Sequence, residues 1–168
     1  MAVRNLICRF ERNPEINEEL FELFFKRKPR LLPKNEFAVK LTPVQRQALE
    51  ARYQTEPNVL AGHERIGDVR LFFRRKEKIV QWSRFFPLGA DPSSTLLKKG
   101  IGSRIHHAIT EHAAQQFSNY HIIHDSSIEL PRLKQLQAMG IDPYFTYAMP
   151  DYLARVREFM TEQKKKGK

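Results

Sequence analysis

Lys98-Lys99-Gly100-Ile101-Gly102-Ser103-Arg104 gathers three cations and two glycines just ahead of an amphipathic run that ends at Phe117. A helix starting there presents backbone N–H groups and the positive end of its dipole, and glycine lets a phosphate approach without a Cβ in the way. The same glycines would equally serve as a tight strand-to-helix turn with no ligand at all. Two phosphate signatures are excluded. The run has no GxxxxGK[ST] spacing, and a dinucleotide fingerprint would need a third glycine where Ile105 stands. His106, His107 and His112 raise the question of a metal. A helical metal pair needs i and i+4 on one face, whereas His112 follows His107 by five residues and His106 by six, so no metal site is expected.

The elements that carry these residues follow from the apolar pattern. Val3 to Phe10 reads as a strand, and Asn13-Pro14 as a cap with proline at the first helical position, opening a helix to about Arg27 with Ile16, Leu20, Leu23 and Phe24 at helical spacing. Phe37 to Leu41 reads as a short strand. Thr42 and Gln45 have the spacing of a capping box, so a helix starts near Pro43 and ends before Pro57. After a turn at Ala61-Gly62, Gly67 to Arg74 and Lys78 to Phe86 form a hairpin across RKEK. Past Gly102, Ile105, Ile109, Ala113 and Phe117 make one buried helical stripe. Tyr120 to Asp125 is a strand, and Ser126 with Glu129 a second capping box. A helix then follows with Leu130, Leu133 and Leu136 inward, closed by Met139-Gly140. Tyr144 to Ala148 is a last strand, and Asp151 to Glu162 a last helix with Tyr152, Val156, Phe159 and Met160 inward. The fold class is therefore α/β, with a single mixed, mostly antiparallel central sheet flanked by helices.

With 168 residues and 41% hydrophobic content, the chain reads as one domain over 1–163 and a basic disordered tail over 164–168. A net charge of +10 favours anionic partners: phosphorylated cofactors, nucleic acid, anionic lipid or acidic protein. A single cysteine, Cys8, excludes an intramolecular disulfide and a cysteine zinc cage. The start MAVRNLICRF has no signal-peptide core and no apolar run is long enough to span a bilayer, so a cytoplasmic protein is expected.

A β-rich run ending in Phe86-Pro87-Leu88, the basic GIG at 100 to 102, an amphipathic helix, a strand, and a helix closing on Met139-Gly140-Ile141 resemble the GCN5-related N-acetyltransferase fold over Gly67 to about Ala148. The resemblance implies an acyl-CoA N-acyltransferase-like sheet with acetyl-CoA or acyl-CoA as co-substrate and no metal. The loop Lys98 to Ser103 is similar to that family's "Q/R-x-x-G-x-G/A" motif. Lys98, Lys99, Gly100, Ile101, Gly102, Ser103 and Arg104 are thereby the expected pyrophosphate site, and Phe86 and Leu88 the backbone wall for the pantetheine arm. Leu97 stands at the motif's first Gln or Arg. Leu136 stands at the family's general-acid tyrosine, and a leucine cannot protonate a leaving thiolate.

For proton transfer the candidates are His124 at the end of its strand, as a base for an amine, and then Tyr144 and Tyr147. The acceptor implied is an amine on a small molecule, a peptide or aminoacyl-tRNA, and homodimer formation stays open. ELPRLKQLQAMGI also looks like a segment of the autoinducer and N-acyl amino acid synthases, which would make an acidic acyl carrier protein the donor. The basic clusters leave a non-catalytic nucleic-acid-binding protein as the alternative from another class.

Overall fold

Asn5–Asn13 (β1) and Glu18–Lys26 (β2) form an antiparallel hairpin in the computed structural model, with Asn13 opposite Glu18 and Asn5 opposite Lys26. The structure describes residues 5–13, 15, 17–26, 31–55, 65–86, 100–125, 128 and 130–167, and of 5, 25, 26, 52–55, 65 and 86 the backbone alone. The helix expected over 13 to 27 is thus a turn and a strand. Apolar residues occupy both faces of ELFELFF, and such a run satisfies a period of 3.6 as readily as a period of 2. Burial alternates strictly: Glu19, Phe21 and Leu23 are buried, while Leu20, Glu22 and Phe24 are partly exposed. The turn is set locally. The Glu15 backbone N–H donates to Asn13 Oδ1 at 3.1 Å, and Asn17 takes a left-handed φ of 50°, which asparagine tolerates better than most residues.

Glu36–Val39 (β3) pairs antiparallel with the other side of β1, Leu6 opposite Val39. Pro43–Thr55 (α1) opens with the expected capping box: Gln45 N–H donates to Thr42 Oγ1 at 3.2 Å and Thr42 N–H to Gln45 Oε1 at 3.0 Å. Arg65–Arg74 (β4) and Ile79–Phe86 (β5) are the expected hairpin, with Val69, Leu71, Phe73, Val80 and Trp82 buried at alternate positions. Ile101–Gln116 (α2) buries the stripe Ile101, Ile105, Ile109 and Ala113. His121–His124 (β6) runs parallel to β5, with Ile79 opposite His121 and Trp82 opposite His124. Leu130–Ala138 (α3), Tyr147–Ala148 (β7) and Met149–Lys166 (α4) complete the order, and β7 pairs antiparallel with β6. The seven strands form a single mixed sheet in the order β3-β1-β2-β4-β5-β6-β7.

By contacts the chain divides into two units, residues 1–70 with 85–105 and residues 71–84 with 106–168. In the first, Leu6, Ile7, Phe21 and Leu23 are fully buried, and Phe21 packs against Phe10 and Phe37 at 6.1 and 6.3 Å between ring centres. In the second, Phe73 stacks on Phe117 at 4.3 Å and α4 buries Met149, Tyr152, Leu153 and Val156. Several expectations shift within this unit: the strand expected over Tyr144 to Ala148 is Tyr147–Ala148 alone, and residues 164–166 of the expected disordered tail are helical. Leu130 is exposed and only Leu136 of α3 is fully buried, and α4 continues past Glu162 to Lys166, its last turn carrying three lysines that complement the helix dipole. Met139-Gly140-Ile141 ends α3 as a Schellman motif: Gly140 takes φ 71°, its N–H donates to Gln137 O at 3.0 Å, and Ile141 N–H donates to Leu136 O at 2.9 Å. The turn at Ala61-Gly62, the helix stop before Pro57 and the Ser126–Glu129 box lie outside the described residues.

Candidate functional site

Four side chains from four elements of the second unit form one hydrogen-bonded path, buried at His106 and Tyr152 and part-buried at Arg132 and His124. Arg132 on α3 places Nη2 2.8 Å from His106 Nδ1, and Nε2 of His106, on α2, lies 3.1 Å from the Tyr152 hydroxyl on α4. That hydroxyl in turn lies 2.8 Å from Nε2 of His124 on β6. Beneath the path lies Trp82 of β5. Its ring is stacked on His106 at 4.7 Å and 13°, and is nearly coplanar in orientation with His124 at 6.1 Å and 7°, while the Arg132 guanidinium sits 5.2 Å from its centre. The parallel register makes Trp82 and His124 neighbours, and Asp125 N–H donating to Trp82 O at 2.9 Å closes that end of the pairing. Arg132 Nη1 also donates to Gln135 Oε1 at 2.6 Å.

His106 and Tyr152 have no exposed surface, and His124 is half-buried at the strand end. Burial first, and the Arg132 cation second, hold both imidazoles well below the usual histidine range, so both are neutral near pH 7. Burial pushes the Tyr152 hydroxyl up, against the pull of Arg132, and it stays protonated; burial also draws Arg132 down to about 10, leaving it cationic at pH 7. Such an arrangement holds each ring and each proton in a defined place and carries the influence of a part-buried cation, through two fully buried groups, to a part-buried imidazole.

The residues expected at a site fall into separate places. His124 is in the path. Tyr147 and Tyr144 instead line an open cavity of about 490 Å³ together with Asp142, Phe145 and Arg155. There Tyr147 accepts a hydrogen bond from Asp142 N–H at 2.9 Å under the Arg155 guanidinium, and Tyr144 is 72% exposed. Gly100 stands at the entry to α2 with φ 73°, a conformation that favours glycine, and Gln45 lies 3.4 Å from where its Cβ would be. Ile101 and Gly102 are buried, Ser103 is partly exposed, and Arg104 Nη1 donates to Lys40 O at 2.9 Å. The first turn of α2 has no acidic residue. Phe86 ends β5, whereas Leu88, Lys98 and Lys99 lie outside the described residues.

Trp82, His106, Arg132 and Tyr152 were not singled out as a group by any spacing. The available signal was subtler: His106 adjoins Ile105 on the inward stripe of α2, and Tyr152 holds an inward position on α4, where a buried hydroxyl needs a partner. The three α2 histidines go separate ways, His106 into the path, His107 to Glu111 at 3.0 Å and His112 to Gln116 at 3.0 Å. Among the described residues, no group of three or more His, Cys, Asp or Glu is placed to hold a metal ion, and no helix is long and apolar enough to cross a membrane.

Fold and site together define an α/β protein with a neutral imidazole-phenol path at the end of a parallel strand pair. Compared with models of protein families, with characterised proteins and with solved structures, the chain has no match.

Proposed function

We propose that the protein is an N-acyltransferase that moves an acyl group from coenzyme A to a primary amine. The observation that carries this reading is the β5-α2-β6 unit. Two parallel strands pair over only Ile79–Trp82 and His121–His124, after which β6 ends while β5 continues to Phe86, and the connecting helix opens at a left-handed glycine. A helix that connects two parallel strands, opens at a left-handed glycine and starts without acids favours a diphosphate at that start. In the reaction the amine nitrogen bonds to the thioester carbonyl carbon, the C–S bond breaks, and the proton released by the amine ends on the thiolate. Leu136 is fully buried and aliphatic, so in this reading the proton path runs through other residues.

Calorimetric titration with acetyl-CoA and with desulfo-CoA tests the reading, and micromolar binding of both is the expected result. Gly102 is buried, so a substitution there would perturb packing. Ser103→Asp is the sharper variant, because an acid in the first turn suits the helix dipole and repels a diphosphate. Its melting temperature should hold or rise slightly while affinity falls by about tenfold or more, as like charges at close range cost about 1 kcal/mol even in water and more near a protein surface. Failure of both ligands to bind the unaltered chain, or undiminished affinity in Ser103→Asp, would remove the reading.

A further inference from the structure

The path from Arg132 to His124 has only one consistent direction. A guanidinium has no acceptor, so Arg132 Nη2 must donate and His106 Nδ1 must accept. A neutral His106 then carries its single proton on Nε2 and donates it to the Tyr152 oxygen at 3.1 Å. With that lone pair taken, the hydroxyl proton points the other way, to Nε2 of His124 at 2.8 Å. His124, also neutral, must therefore carry its proton on Nδ1, the nitrogen that makes no hydrogen bond among the described residues. Stacking against Trp82 holds the plane of each ring, so neither imidazole turns over without breaking the stack.

We propose that His124 is a neutral hydrogen-bond donor through Nδ1, not a base, and that Arg132, His106 and Tyr152 are positioning residues that impose this tautomer. Resting on the acyltransferase reading, the ligand group it recognises is the thioester carbonyl oxygen, whose negative charge grows when an amine attacks. No proton leaves His124 in this role, and the negative charge that develops on the oxygen is met by the Nδ1 proton. Burial and the Arg132 cation keep both rings neutral, which the role requires. The expectation that His124 serves as a base for the amine is thereby replaced.

The test reads protonation directly, by long-range 1H–15N correlation spectra of the histidine side chains in the full chain near pH 7. His106 should show its proton on Nε2 and His124 on Nδ1. A His124 protonated on Nε2, or cationic, overturns the inference without any variant. In Tyr152→Phe, His106 should keep its tautomer and His124 should lose its bias, and an unchanged His124 would sink the idea. Acetyl-CoA and desulfo-CoA then separate the two layers. A His124 Nδ1 shift with acetyl-CoA and none with desulfo-CoA supports the carbonyl role. Binding of both with no difference at His124 overturns that role and leaves the acyltransferase reading standing. Binding of neither overturns the acyltransferase reading, and the carbonyl role falls with it.

Discussion

Two kinds of arginine setting stand side by side in this molecule. Across β1, β2 and β4, guanidinium meets carboxylate: Arg9 pairs with Glu22, Arg12 with Glu19 at 3.5 Å, and Arg70 with Glu18. In the second unit Arg157 pairs with Glu111 in the same way, at 2.6 and 2.7 Å, whereas Arg132 meets an imidazole, an amide and an indole face. Where the pair is partly exposed on both sides, as at Arg9–Glu22, water screens it and it gains little, whereas Arg12 and Arg70 reach the buried Glu19 and Glu18. A part-buried cation hydrogen-bonded to a fully buried neutral imidazole is a costlier arrangement, and it sets proton positions several ångströms away. The first pattern suits a scaffold and the second a site.

Acid should separate the two regions most. Both imidazoles of the path have folded pKa values well below the ordinary 6.5, so the unfolded chain binds more protons than the folded one as pH drops below about 6.5. Their contribution is complete above that pH and is lost toward their folded values. Each histidine gives a limiting slope of about 1.4 kcal/mol per pH unit. The groups facing them are Arg132 from α3, Tyr152 from α4, Trp82 from β5 and His107 on α2. Amide exchange measured between about pH 7 and 5 should show β5, β6 and α4 opening while the β1–β2 hairpin keeps its protection. Equal loss in the hairpin would break the contrast.

A smaller effect is expected from Tyr152→Phe, which keeps the ring and removes the hydroxyl shared by two imidazoles. Leaving a buried acceptor and donor unmade costs about 1–3 kcal/mol, read from urea unfolding at neutral pH. Smallest is Glu22→Gln in the first unit. The Arg9–Glu22 pair is partly exposed on both sides, and its loss should cost roughly 0.2–1 kcal/mol in the same measurement. If Glu22→Gln cost more than Tyr152→Phe, the polar framework of the first unit would be carrying more than a scaffold role.

Much of the architecture follows from local chemistry. Thr42 and Gln45 cap a helix wherever they stand, because both partners of the box lie within one turn. The α2 stripe and the β4–β5 alternation are likewise written in spacing, since each element buries one face. Gly140 ends α3 because glycine alone takes the left-handed corner there at no cost. The β1–β2 hairpin escaped this logic: with apolar residues on both faces, spacing was silent and only pairing with β1 decided.

By itself, then, the sequence determined the inward stripe of α2, the alternation of β4 and β5, the cap of α1 and the stop of α3, and that a basic glycine turn precedes α2. It did not determine that Trp82, His106, His124, Arg132 and Tyr152 meet. Those residues come from five elements, and their contacts depend on the parallel register of β5 with β6 and on the packing of three helices. A period along one element reports its own buried face. The direction of a hydrogen-bonded path depends on which donor stands at its far end, and only the tertiary structure brings that donor into place.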